Sequence, residues 1–173
     1  MADFAELDRL VLEHLPAALR FATRMTGDRD AAEDLVQDAL LRIARSWQTF
    51  RGSATFRTWF YRVLINVFRD RLRSNRTFSI ASIDEAEETP DPRSVSPPTA
   101  AATNELADRV AAEVSRLPLR QREVMVLTAF EGLSIVETAG LLDITEQNVH
   151  ATLSAARARL RSRLAAYLGF AEK

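Results

Sequence analysis

Between Ser134 and Arg163 apolar residues recur at helical spacing on both sides of one short break, and few folds accept that pattern. Ser134 and Glu137 stand three apart, the spacing of a capping box that satisfies two orphan amides at a helix start. Asp143 falls where the turn needs a permissive backbone, and Asp tolerates the left-handed region better than most non-glycine residues. Thr145 can cap the second helix. Along that helix Val149, Leu153, Ala156, Leu160 and Leu164 form an inward stripe. The opposite face carries Gln147, Asn148, Ala151, Ser154 and Ala155, with Arg157 and Arg161 on one shoulder and Arg159 and Arg163 on the other. Small side chains let the helix backbone approach base edges while guanidinium groups straddle phosphates. A helix-turn-helix lays its second helix in the DNA major groove in this way. The competing reading is an ordinary helical hairpin with a solvated arginine face; the combination of caps, turn and arginines favours DNA. His150, toward the shoulder of the same helix, is a further contact candidate.

A different block lies far upstream. Phe50, Arg51, Gly52, Ser53, Ala54 and Thr55 form a loop that leads into Phe56, Arg57, Trp59, Phe60, Tyr61 and Arg62, with Asn66, Arg69, Arg71 and Arg73 beyond. Aromatic rings beside arginines suit melted nucleic acid, since rings and guanidinium planes stack on bases while charge follows the backbone. A Gly-Ser loop beside them can hold an unstacked base. The alternative makes Trp59, Phe60 and Val63 core and the arginines surface. For the rings core packing is the better reading; for the loop and Asn66 the two are balanced.

Between the two blocks, residues 77–104 carry Pro90, Pro92, Pro97 and Pro98, many Ser and Thr, and one basic against five acidic groups. That composition is a flexible acidic linker. It divides the chain into an N-terminal unit, 1–76, and a C-terminal unit, 105–173. Helical spacing runs from Phe4 to Met25, with a kink or restart expected at Pro16 and a stop at Gly27. It resumes from Asp30 to Trp47, from Phe56 to Ser74, from Glu105 to Arg116, and from Pro118 to a stop near Gly132. Glycine is scarce and β-branched runs are short, so the expected fold class is all-α, two small helical domains of which the C-terminal one holds the helix-turn-helix. On the second helix Asp34, Gln37 and Asp38 share one polar face, opposite Val36, Leu40, Ile43 and Trp47. From spacing alone that face is solvated and paired along its own helix, for example Asp38 with Arg42.

The net charge of −1 is low for a DNA binder, and its distribution is uneven: +3 over residues 1–76, −4 over 77–104 and 0 over 105–173. Affinity from counterion release scales with the phosphates neutralised, so such a chain binds DNA weakly alone and needs a larger partner. There are no cysteines, which removes disulfides and thiolate chemistry. His14 and His150 lie in different units, and no metal-ligand spacing, phosphate loop or nucleophile motif is present. No cofactor and no enzymatic activity are expected. The N-terminus lacks the progression of a secretory leader and no stretch has the roughly 18 apolar residues of a membrane span, so a cytoplasmic protein without membrane insertion is expected.

With these residues in view the chain resembles bacterial sigma factors of the extracytoplasmic function (ECF) group over nearly its whole length. The matching stretches are Thr26-Gly27-Asp28, Ala32 to Arg45, Phe50 to Leu72, Leu117 to Gly132, and Ala155 to Leu160. The resemblance implies partners: core RNA polymerase, promoter DNA and an anti-sigma factor. It implies that Asp34, Gln37 and Asp38 contact the polymerase, against the reading from spacing alone. It implies that the loop from Phe50 to Thr55, with Asn66 and the neighbouring Arg69, captures a flipped base of the −10 element. The helix carrying Gln147, Asn148, His150, Ala151, Ser154, Arg157 and Arg159 would read the −35 element, and the linker would thread through the polymerase. Family members usually carry basic residues where this chain has His150, Thr152 and Ala155, and Gly where it has Asp143; fewer phosphate contacts imply a shallower salt dependence. A sigma-like adaptor or decoy that binds polymerase or an anti-sigma protein without reading DNA is the alternative function.

Overall fold

The stops and caps of the sequence decide where each helix begins and ends. The computed structural model describes residues 4–50, 55–80 and 105–167, and among these there are helices and turns but no strand. The first helix, α1 (Phe4–Thr26), runs unbroken through Pro16, so the expected kink or restart does not divide it. Pro16 removes one backbone donor, whose partner would have been the carbonyl of Leu12. Both residues are exposed, which leaves that carbonyl to water, while buried Leu7, Ala18, Phe21, Ala22 and Met25 keep the two halves on one stripe. Gly27 closes the helix at φ 77°, donating its N–H to the carbonyl of Thr23 at 2.8 Å. Asp28 then caps α2 (Arg29–Ser46), its carboxylate accepting the amide of Ala31 at 2.8 Å.

A single 3₁₀ turn, Trp47–Thr49, follows α2. The third helix, α3 (Phe56–Ile80), continues six residues beyond Ser74, where spacing placed its end, and four residues into the stretch read as linker. No glycine or proline lies between Ser74 and Ile80 to stop it; the first proline is Pro90. The rest of the linker, and the acidic character assigned to it, lie outside the described residues.

The C-terminal helices are shorter. They are α4 (Glu105–Ser115), α5 (Leu119–Met125), a π-wound turn over Val126–Phe130, α6 (Ile135–Leu142) and α7 (Glu146–Tyr167). Gly132 leaves the π turn at φ 68°. The capping box is formed as its spacing required: the Ser134 hydroxyl accepts the Glu137 amide at 3.2 Å, and Glu137 accepts the Ser134 amide at 2.8 Å. Those bonds from the Ser134 amide and hydroxyl hold the Glu137 carboxyl below the usual carboxylate range. Asp143 takes the left-handed turn at φ 57°, and Thr145 caps α7 by accepting the amide of Asn148 at 3.2 Å.

Two groups of helices result. In one, α1, α2 and α3 pack on each other and bury Phe21, Met25, Leu35, Ile43, Phe60, Leu64 and Ile65. In the other, α4, α5 and α6 pack on α7, burying Val114, Leu117, Val124 and Leu127 with Val149, Leu153 and Ala156. Each fully buried aliphatic or aromatic side chain contributes about 1.5–3 kcal/mol. The groups also meet: α1 touches α4 and the π turn, and α3 touches α6. Replacing Ser134 by Ala removes the cap of α6 and is expected to cost about 1 kcal/mol, read as a lower urea midpoint with an unchanged denaturant slope.

Candidate nucleic-acid and partner surfaces

On α2 the apolar stripe of Leu35, Val36, Ala39 and Ile43 is buried, which turns Asp34, Gln37 and Asp38 outward, all three exposed. The pairing expected along α2 is not formed. Arg71 of α3 reaches Asp38 instead, with two guanidinium nitrogens at 3.0 and 2.5 Å from one carboxylate oxygen. Arg42 crosses the other way, donating twice at 3.0 Å to Asp70. Burial works to raise the Asp70 carboxyl, but hydrogen bonds from Arg42 and Arg73 outweigh it and hold that group below its ordinary value. A neighbouring helix supplied better-aimed partners than the next turn of α2, which spacing within one helix does not reveal.

The upstream block divides. Its rings form a cluster: Trp47 stacks on Phe50 at 5.5 Å, and Phe50 lies 4.9 Å from Trp59. Phe56 meets His14, Trp47, Phe50, Trp59 and Phe60. Phe50 is thus half-buried as the lid of this cluster. Arg51, Gly52, Ser53 and Ala54 lie outside the described residues. Thr55, where the loop joins α3, is exposed and shares a 2.9 Å hydroxyl bond with Thr58. Asn66 is exposed on α3, on the same face as Arg62 and Arg69. Arg69 is half-buried and committed: it donates at 2.6 and 2.8 Å to the two carboxylate oxygens of Glu123 on α5. That hydrogen-bonded pairing raises the Arg69 pKa further above its ordinary value.

On α7 the inward stripe is buried at Val149, Leu153, Ala156 and Leu160. The outward residues Gln147, Asn148, His150, Ala151, Ser154, Ala155, Arg157 and Arg159 are all exposed, so the structure brings this candidate set onto one open face. Arg163 is drawn back toward α4, 3.5 Å from Glu113.

Spacing did not point to the contacts between the two groups of helices. Glu131, at the end of the π turn, is buried and accepts from Arg24 at 3.3 Å and from the Tyr61 hydroxyl at 2.5 Å. Its backbone carbonyl takes a guanidinium bond from Arg57. Burial, with the bond to Glu131, pushes the Tyr61 hydroxyl up to about 12. Arg62 donates to the carbonyl of Gly140 on α6 at 2.7 Å. Arg122, only 7% exposed, donates to the carbonyl of Met25 at the end of α1 at 2.5 Å and to that of Leu117 at 3.0 Å. Burial lowers its pKa to about 10, which leaves it charged at neutral pH. The only hint in the sequence is position: Glu123 and Glu131 bracket an apolar run, Val124 to Phe130, that must itself be covered.

Among the described residues no group of three His, Cys, Asp or Glu is placed to hold a metal ion, and no helix is long and apolar enough to cross a membrane. Residues 10–78 match the family model for sigma-70 region 2, and residues 107–160 match the model for sigma-70 region 4. The chain is similar to the ECF RNA polymerase sigma factor SigM of Mycobacterium tuberculosis, 32% identical over 93% of this chain and 78% of that one. It is 33% identical to the RNA polymerase sigma-E factor of Streptomyces coelicolor, over 96% of this chain and 90% of that one. Among solved structures it is similar to CnrH in complex with the cytosolic domain of CnrY, with a TM-score of 0.66 and 28% identity over 95% of this chain and 90% of that one. The fold is also that of the sigma factor RpoE of Bartonella quintana, solved with the anti-sigma factor NepR, at TM-score 0.77 and 24% identity over 92% and 96% of the two chains.

The aromatic cluster and the α2–α3 ion pairs differ in weight. Phe56→Ala empties a buried site among five rings and is expected to cost about 3–5 kcal/mol. Arg71→Ala breaks a largely solvated pair and is expected to cost less than about 1 kcal/mol. Urea titration followed by tryptophan fluorescence separates the two, and equal costs contradict this account of the surface.

Proposed function

The chain belongs to the ECF sigma factors of bacterial RNA polymerase, proteins that direct the polymerase to promoters, and on that premise we propose how its surfaces divide the work. Asp34, Gln37 and Asp38 of α2 form the face that docks on core polymerase. The loop Phe50, Arg51, Gly52, Ser53, Ala54 and Thr55, with Asn66 and Arg69 of α3, captures an unstacked base of the −10 element. Gln147, Asn148, His150, Ala151, Ser154, Arg157 and Arg159 of α7 read the −35 element. Residues 1–76 and 105–173 act as the two functional units and 77–104 as the tether between them. The protein works in the cytoplasm, without catalytic chemistry of its own. An anti-sigma protein controls it, as the complex of the sigma factor RpoE with the anti-sigma factor NepR suggests.

The observation that carries this reading is the open face of α7. Its base-sized residues are exposed together inside the stretch that matches sigma-70 region 4. The second reading surface is α3, inside the stretch that matches region 2. Each DNA contact is weak in a chain of net charge −1, and mounting both units on polymerase raises their effective concentration at the promoter.

Run-off transcription with core polymerase over a promoter library tests the whole reading: initiation above core alone is expected, and its absence at every promoter overturns it. On a promoter so recovered, joint replacement of Gln147 and Asn148 by Ala is expected to lower initiation roughly tenfold to a hundredfold, the weight of one or two lost base-edge contacts. An adaptor or decoy would show no response. Asp34→Ala with Asp38→Ala is expected to weaken co-elution with core polymerase while leaving the urea midpoint nearly unchanged, since both side chains are exposed.

A further inference from the structure

We propose that Leu41 is the apolar anchor of the polymerase face on α2, with Asp34, Gln37, Asp38 and Arg45 as the polar rim around it. Its counterpart on core polymerase is a small apolar recess edged by cations. The inference rests on the reading that α2 docks there. It changes what holds the complex: one leucine buried at the centre, with the charges guiding approach.

The position comes from the helix repeat. Leu41 follows Asp34 by seven residues, Gln37 by four and Asp38 by three, and it precedes Arg45 by four, so it stands in the middle of that face. Leu40, one step round the helix, packs against the buried core. Leu41 keeps 56% of its surface exposed, and among the described residues it is the one large apolar side chain of α2 so exposed. A single exposed leucine is ordinary on a protein surface. What sets this one apart is that its charged neighbours are drawn off it. Arginine stems commonly lie along adjoining apolar surface. Arg42, next in the chain, instead crosses to Asp70 of α3 with two bonds of 3.0 Å, and Asp38 is engaged by Arg71 of the same helix.

The electrostatics lead to the same place. Asp38 already shares its carboxylate with a guanidinium, so a cation on polymerase must compete with Arg71 for it. Asp34 and Asp38 are both exposed, and charge pairs in such settings add little affinity and mainly speed encounter. A face of such groups alone would associate fast and release fast. An aliphatic side chain buried at its centre, ringed by polar groups that exclude water, slows release without further charge. Leucine also loses less rotamer freedom on burial than the arginine and glutamine beside it.

Binding of the full chain to immobilised core polymerase, followed as association and dissociation at low and high salt, tests this. Ala, Met and Gln are all good helix formers, so each can replace Leu41 without disturbing α2. Leu41→Ala is expected to raise Kd about tenfold, almost all of it through faster dissociation and by the same factor at both salts. Leu41→Gln, close to leucine in size but polar, is expected to lose as much, and Leu41→Met less than about threefold. Asp34→Ala with Asp38→Ala is expected instead to slow association, with an effect that shrinks at high salt. The urea midpoints of all these variants are expected to stay near that of the unaltered chain, because the side chains are exposed. Leu41→Gln binding as tightly as Leu41→Met overturns the proposal, and so does a Leu41→Ala defect that disappears at high salt. Should Leu41→Ala bind normally while the aspartate pair binds weakly, α2 docks on polymerase without this anchor. Should neither change weaken binding, the assignment of α2 as the docking face is overturned, and the anchor with it.

Discussion

Carboxylates held away from water govern how this chain packs. A buried carboxylate costs several kcal/mol unless paired and hydrogen-bonded, so each must bring its own cations and donors. Glu113 does so within its unit: Arg116 of the adjoining turn at 3.0 Å and Arg163 of α7 at 3.5 Å tie α4 to α7. Glu123 and Glu131 do not close their accounts locally. Glu123 has Arg120 at 3.6 Å from its own helix but takes its best-aimed pair from Arg69 of α3. Glu131 takes Arg24 from α1 and Tyr61 from α3. The side chains that let α5 and the π turn sit in a protein interior thus reach across to the other unit, and they fix how the two meet.

Part of that junction is solvated. Two of the arginines that cross it keep part of their surface in water, 29% for the Arg69 side chain and 25% for that of Arg24, while Arg122 is buried. Ion pairs with a solvated partner contribute about 0–1 kcal/mol each. Deleting one partner would strand the other in a buried site, whereas separating the units returns both to water, a much smaller loss. Each unit by contrast holds its own fully buried set, Phe21, Leu35, Phe60 and Leu64 in one and Leu117, Val124 and Leu127 in the other, at about 1.5–3 kcal/mol per side chain. Buried apolar residues of both groups nevertheless belong to one core cluster, from Phe21 and Leu64 to Val124 and Leu127.

What the sequence made legible was local. The capping box at Ser134, the left-handed turn at Asp143, the cap at Thr145 and the stop at Gly27 each depend on a few neighbouring residues, and each formed as its spacing required. The stripe on α7 was equally plain, because period alone decides which side is buried. The restart expected at Pro16 does not occur, because the carbonyl it frees lies where it can reach water, a property of the folded surface. The far end of α3 misled because composition changes gradually after Ser74 and nothing stops the helix before Ile80. The partner of Asp38 was hidden for a related reason: a helix wheel shows neighbours on one helix and is silent about the next. Glu123 and Glu131 were hardest, since periodicity marks a face as buried without saying what lies on it.

The order in which these surfaces become available follows from the same geometry. The carboxylate face of α2 is exposed while the units are together, so if it is the polymerase face, as proposed, a first encounter needs no rearrangement. The face of α7 is open too, but it is lightly charged for a DNA reader: Ala151, Ser154 and Ala155 carry no cation, and Arg163 is turned toward Glu113. Searching DNA alone, α7 gains little from counterion release. The arginines that would add most, Arg62 and Arg69, are engaged with the second unit. On the proposed division of surfaces, docking at α2 would tether both readers to one machine. On the proposed assignments, a chain with almost no net charge would bind nonspecific DNA weakly while free and hold a promoter once mounted on polymerase.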